Sequence, residues 1–298
     1  MEKLRLGVLD LAPVLNGYEV EDAIQETVRL AQMAEEWGYE WYWAAEHHDL
    51  EGLACPSPEI LLAHIGARTS SIRLGSGALL LPHYSPMKVA ESFHLLSCLY
   101  PGRIDLGIGR APGGPAHASM ALSGNFLQHV AEVPASLRSL TELLTGEYRY
   151  EGEQVTARPM PKEPPKVWML GTNTKSCGYA AEFGTGFVFG HFMSDQDGSD
   201  ILKAYREQFK PGKLRASPET MVAVSVICAE TDALAEALGR ASKASLVRTL
   251  VGSPERILDR LREVQFTLSN DSFLIVSPLQ DYNHRLNSYR LIAQGLFL

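Results

Sequence analysis

Apolar residues recur along this chain in short solid runs separated by longer stretches of helical period. Leu4 to Asp10 is apolar enough for a strand buried on both faces. Val20 to Trp37 then places Ile24, Val28, Leu30, Ala31 and Ala34 at helical spacing before Gly38 ends the helix. The alternation repeats down the chain. Strands are expected at Trp41–Ala45, Ile72–Leu81 (interrupted by Gly75 and Gly77), Ile104–Ile108, Lys166–Leu170, Gly186–Phe189, Met221–Ala229 and Ser272–Val276. Between them the pattern predicts helices from Pro58 to Ala67, from Pro86 to before Pro101, over roughly Phe126–Thr145, and from Asn173 to about Phe183. Further helices are expected over Ser194–Phe209, from Thr231 onward, from Ser253 to about Phe266 and over Tyr282–Gln294. Gly146 to Pro165 is polar and proline-rich, an excursion between the fourth helix and the fifth strand with room for a hairpin at Tyr148–Val155. Eight buried strands, each followed by helix, predict a (β/α)₈ TIM barrel. An open doubly wound sheet fits less well, because no glycine fingerprint follows the first strand.

Composition removes several classes of function. The chain has 298 residues, 45% hydrophobic and 21% charged, which is ordinary for a globular enzyme. A formal net charge of −8 with no basic run argues against a nucleic-acid surface. No run approaches the roughly 18 apolar residues of a membrane span. The start, MEKLRLGVLD, enters a strand without a signal-peptide pattern, and Cys55, Cys98, Cys177 and Cys228 have neither metal nor redox spacing. A reducing cytoplasm is the expected setting.

In such a barrel, chemistry gathers where the strands end. Those ends carry Asp10, Glu46-His47-His48, Leu81-Pro82-His83-Tyr84, Gly109-Arg110, Gly171-Thr172-Asn173, Gly190-His191-Phe192 and Ser277. Around the fourth strand, PGRIDLGIGRAPGG (Pro101–Gly114), glycine precedes an always-charged arginine, which leaves space for something flat. The set admits three readings. A metal hydrolase would use His47, His48, His83 and His191 as ligands, but the first strand has no His-x-His pair and carboxylates are few. A phosphate-bearing cofactor would sit on the Gly171-Thr172-Asn173 helix start, served by backbone N–H groups, the hydroxyls of Thr172 and Ser176, and Arg110. The plainest reading is ordinary loop polarity.

Trp43-Ala44-Ala45-Glu46-His47-His48 and Gly-Arg-Ile-Asp-Leu-Gly-Ile-Gly-Arg-Ala-Pro-Gly (102–113) resemble the bacterial luciferase-like flavin monooxygenases, specifically their single-chain oxidoreductases. Val167–Gly171 and Phe187–Phe192 add to the likeness, which covers the chain as one domain over residues 1–298. The resemblance implies a barrel that binds reduced FMN at its strand ends and reacts it with O₂ and a small organic substrate. A separate flavin reductase would supply the electrons, and homodimerisation through the second and third helices is expected. Two alternatives stay open: a deazaflavin-dependent hydride-transfer enzyme of the same fold, and a flavin-binding protein without turnover. By position His47 corresponds to the catalytic histidine, with His48 second. The resemblance also implies a cofactor-binding set of Glu46, Gly77, Ala78, Gly109, Arg110, Gly171, Thr172, Asn173, Ser176 and His191, no metal, and a cis peptide between Gly77 and Ala78. The family often carries a long lid between the seventh and eighth strands. Here Ser242–Ser253 leaves little room for one, and oxygen chemistry on reduced flavin needs water excluded.

Overall fold

In a computed structural model that describes residues 3–242 and 247–297, the chain forms the expected barrel. Strands β1 (Arg5–Asp10), β2 (Trp41–Ala44) and β3 (Arg73–Ser76) alternate with helices α1 (Val20–Glu36) and α2 (Pro58–Gly66). The two-residue β4 (Leu79–Leu80) and a 3-10 turn (Leu81–His83) lead to α3 (Pro86–Leu99) and then β5 (Ile104–Gly109). Next come α4 (Ala116–Ser123), α5 (Phe126–Ala131), α6 (Val133–Thr145) and the hairpin β6 (Arg149–Tyr150)–β7 (Glu153–Gln154). After β8 (Lys166–Gly171), α7 (Thr174–Glu182) and β9 (Gly186–Gly190), a second 3-10 turn (His191–Met193) precedes α8 (Gly198–Gln208). The chain closes with β10 (Thr220–Cys228), α9 (Asp232–Ala241), β11 (Thr249–Gly252), α10 (Pro254–Leu268), β12 (Ser272–Val276) and α11 (Tyr282–Phe297).

Eight parallel staves close on themselves in the order β1-β2-β3-β5-β8-β9-β10-β12. Strand alternation splits their side chains between two cores. One row points outward under the helices, among them Leu6, Val8, Tyr42, Leu74, Leu106 and Phe273. The other fills the barrel with Leu9, Trp41, Trp43, Trp168, Val188, Met221 and Leu274. Trp43 and Trp168 meet edge to face at 6.0 Å, so the lumen is packed solid and only its rim is left for chemistry. Asp10, at the end of β1, is not part of that rim. It is fully buried, takes a 2.6 Å bond from Arg285 of α11 and one of 2.6 Å from Tyr42, and so ties the last helix to the first strand.

The third stave is interrupted as expected: the peptide between Gly77 and Ala78 is cis, and β4 resumes the pairing to β5 that β3 began. Three local expectations need correction. The single helix expected over Phe126–Thr145 is two, because Pro134 has no N–H to continue α5 and instead opens α6. The loop expected before it contains α4, which buries only Ser119 and so leaves no apolar stripe to read. β11 was not expected at all. It pairs with the far half of a nine-residue β10, Ser225 facing Thr249, and fills part of the Ser242–Ser253 connection; residues 243–246 of that connection lie outside the described residues. The hairpin in the excursion is present, with the Val155 amide bonded to the Tyr148 carbonyl at 3.0 Å.

Candidate active site

β2 runs straight off its last residue into Glu46-His47-His48, and contacts from three neighbouring segments fix this triplet. Glu46 is 2% exposed. Its Oε1 accepts from Tyr84 Oη at 3.0 Å and pairs with His48 Nε2 at 2.7 Å, while Oε2 accepts the Leu80 amide at 2.9 Å. Burial pushes the Glu46 carboxyl above its ordinary range against the pull of these three donors. The same burial, with Glu46 alongside, pushes the Tyr84 phenol up. Glu46 therefore spends both oxygens on its own neighbours. His47 is its opposite: its backbone N–H donates to the Cys55 carbonyl at 2.9 Å, but its buried Nδ1 has no partner. Burial first, and the adjacent His48 second, hold the His47 imidazole below its usual pKa. His48 is anchored along its backbone too, donating to Gly113 at 2.9 Å.

From there an arc of contacts runs along the rim. The Glu46 amide donates to the Ala78 carbonyl at 3.3 Å. A Cβ on Gly109 would lie 2.9 Å from that of Ala78 and 3.1 Å from Leu80 Cδ2. Glycine at 109 is thus favoured by the neighbouring stave, whose Ala78 and Leu80 fill the place a Cβ would take. Arg110 Nη2 and Nε donate to Ser176 Oγ at 2.8 and 3.2 Å, and its guanidinium lies over the Tyr179 ring at 5.5 Å. Ser176 presses on Gly171, where any Cβ would collide with it. Asn173 caps α7, its Oδ1 accepting from the Ser176 amide at 3.2 Å, which leaves the N–H groups of Thr174 and Lys175 without intrahelical partners. The Thr172 carbonyl accepts from Ser194 Oγ at 2.7 Å, and a Cβ on Gly190 would lie 3.2 Å from Thr172 Cγ2.

His83 and His191 stand at the margins. His83 spends both ring nitrogens on the segment after β5: Nδ1 pairs with Ser123 Oγ at 3.0 Å and Nε2 with the Pro112 carbonyl at 2.9 Å. Its ring stacks on Phe126 at 5.1 Å and meets His48 edge-on at 5.7 Å. His191 lines a side cleft of about 530 Å³ between α8 and α10, with Asp197 and Arg248 beside it. Burial and Arg248 lower its pKa against the opposing charge of Asp197, and its buried Nδ1 is unpartnered. Among the described residues no three His, Cys, Asp or Glu side chains are grouped as a metal would need. Ser194 is a polar group that strand-end reading passed over, and Tyr84, placed at a strand end beside His83, carries a contact to Glu46 that the reading did not assign.

These residues fit a phosphorylated flavin. Arg110, the Asn173-capped start of α7 and Ser176 could hold its phosphate, and the unpartnered buried atoms His47 Nδ1 and Ser277 Oγ, both just past strand ends, could meet a polar ring system.

Comparison with known proteins agrees with the barrel. The family model for luciferase-like monooxygenases matches residues 4–246, and the chain belongs to that family. An N-acetyl-S-alkylcysteine monooxygenase of Bacillus subtilis is 32% identical, over 98% of each chain. The apo crystal structure of MsnO8 is 34% identical and covers 99% of this chain and 98% of its own at a TM-score of 0.90. The oxygenating constituent of 3,6-diketocamphane monooxygenase from Pseudomonas putida, a type II Baeyer-Villiger monooxygenase solved with FMN, covers 99% and 98% at a TM-score of 0.76. At 19% identity it shares the fold alone.

Proposed function

We propose that this chain, one barrel domain over residues 1–298, is an FMN-dependent monooxygenase that acts on a small organic substrate. Reduced flavin would come from a separate reductase, as the name of the camphane enzyme's oxygenating constituent suggests by analogy. When bound, reduced flavin supplies two electrons to O₂, so that one oxygen atom enters the substrate and the other leaves as water. The observation that carries this reading is the join between Arg110, delivered by β5, and Ser176, in the first turn of α7. That join sets a permanent positive charge beside free helix N–H groups, where a phosphate is favoured.

The protein's own groups have distinct tasks under this reading. Arg110, Thr172, Asn173 and Ser176 bind and orient the phosphate. His47, held neutral by burial, offers a proton acceptor near neutral pH without first having to lose a proton. The α4–α5 segment, fastened by His83 and by the His48–Gly113 bond, lies against the rim and supplies cover that the short β10–β12 connection lacks.

Arg110→Ala tests the seat. It is expected to weaken FMN binding by roughly 10- to 100-fold, as for loss of one charged hydrogen-bonding partner, while leaving riboflavin, which has no phosphate, unchanged in the same fluorescence titration. Equal losses for both ligands reject the seat. Oxygen uptake coupled to product, absent with a reduced deazaflavin, separates the monooxygenase from a hydride-transfer enzyme.

A further inference from the structure

Glu46 has two oxygens, and the geometry around them leaves no choice about which group meets which. The Leu80 amide is a fixed donor and takes Oε2. Tyr84 reaches across from the turn after β4 and occupies one side of Oε1, and His48 Nε2 has the other at 2.7 Å. The Leu80 amide can only donate and the Tyr84 phenol donates here, so both favour Glu46 as an ionised carboxylate, which can only accept. Opposite an ionised Glu46, the nitrogen that His48 turns to it carries the hydrogen.

We propose that Tyr84 is a positioning residue: with the Leu80 amide it keeps Glu46 an ionised acceptor, and Glu46 in turn fixes His48 as the tautomer with its hydrogen on Nε2 and its lone pair on Nδ1. His48 thereby presents a preset basic nitrogen, on an imidazole held both by its side chain and by its backbone bond to Gly113. Burial works against this arrangement by favouring protonated Glu46. A protonated Glu46 could donate to His48 Nε2, which would move the imidazole hydrogen to Nδ1 and remove the base. Tyr84 supplies part of the margin that prevents this. The other titratable groups facing the cluster are His47 beside His48, His83 edge-on to it at 5.7 Å, and Cys55 and Glu59, whose charges bear on Tyr84. Cys55 stays a neutral thiol, pushed up to about 12 by burial.

Tyr84→Phe tests this, since it keeps the ring and removes only the hydroxyl. The first readout needs no flavin. Long-range ¹H–¹⁵N spectra of ¹⁵N-histidine-labelled protein, with His48 assigned by its loss in His48→Gln, are expected to show a single Nε2–H tautomer above pH 7 in the parent. Tyr84→Phe is expected to show an Nδ1–H fraction that grows as pH falls, and Glu46→Gln, whose amide can donate, a predominantly Nδ1–H form. Removing one donor to a carboxylate corresponds to about one pKa unit or more, so the acid limb of kcat should move up by about one pH unit in Tyr84→Phe. An unchanged tautomer in both variants overturns the inference, as does an unmoved acid limb in a Tyr84→Phe protein that melts like the parent. The kinetic part rests on the monooxygenase reading and the spectroscopic part does not. An altered tautomer in a protein without FMN turnover would therefore support the Tyr84 role while rejecting the proposed function.

Discussion

At the scale of single residues, the two adjacent histidines differ in what surrounds them more than in where they stand. His48 pairs its Nε2 with Glu46, whereas His47 has a buried Nδ1 without a partner and is held below its ordinary pKa by burial. His47→Asn is expected to lower turnover by about 10²–10⁴-fold, the usual contribution of a positioned base, with FMN affinity retained. It should also alter stability against pH, and the sign is fixed. Unfolded His47 takes a proton near pH 6.5, but the folded protein resists it, so the unfolded state binds more protons and stability falls as pH drops through about 6.5 and below. Glu46, shifted upward, acts in the opposite direction but is present in both proteins. The melting temperature of His47→Asn is expected to fall less than that of the parent between pH 7 and 5; an equal fall would show that His47 is not held neutral. The placement of His47, Arg110, Asn173, Ser176 and Tyr84 at or beside strand ends was legible in the sequence because glycine and proline mark where the strands stop, and the barrel puts those ends on one face. The contact Tyr84 makes was not. Its hydroxyl meets a carboxylate 38 residues earlier in the chain, and nothing in the local pattern encodes that reach.

At the scale of elements, the barrel and the excursion hairpin were legible and the α4–α5 segment was not, for one physical reason. Every stave buries both faces and so reads as a solid apolar run, as in the fully buried pattern of β2 and β9. α4 and α5 bury almost nothing, Ser119 in the first and no residue in the second, so no periodic stripe announces them. What holds them is polar and specific: His83 bonds Ser123 and Pro112 and stacks on Phe126. Elements with so little buried surface open locally at low free energy. His83→Ala is therefore expected to speed amide hydrogen exchange across Ala116–Ala131 by about tenfold or more, as for loss of one to two net hydrogen bonds, and to leave exchange in β1, β9 and β12 unchanged. Uniform acceleration through the barrel would instead make His83 a core residue, and no change would mean that the cap is held by other contacts.

At the scale of the whole molecule, the outer surface raises the question of a second copy. The chain pattern of α2 and α3 is apolar on more than one face, and the structure divides those residues cleanly. Leu61, Leu62, Ile65, Phe93 and Leu96 are buried against the barrel, whereas Ile60, Leu95 and Leu99 are 69%, 51% and 54% exposed. The first five are accounted for by the fold. The other three lie on neighbouring helices that pack side by side, with Leu95 and Leu99 one turn apart on the same face. Scattered exposed leucines are common, but three large apolar side chains on one pair of packed helices suit a surface that is covered in solution. A stable homodimer buries roughly 800 Å² per partner, more than these three side chains supply, so such an interface would have to extend along both helices. The parent protein is expected to sediment as a dimer at micromolar concentration. Leu95→Asp with Leu99→Asp should sediment as a monomer, because it sets charge at the centre of the surface that must be desolvated. Both positions are more than half exposed, so the double variant should keep the parent's circular dichroism spectrum. A parent that sediments as a monomer refutes the dimer. A double variant that remains dimeric moves the interface to another face of the barrel.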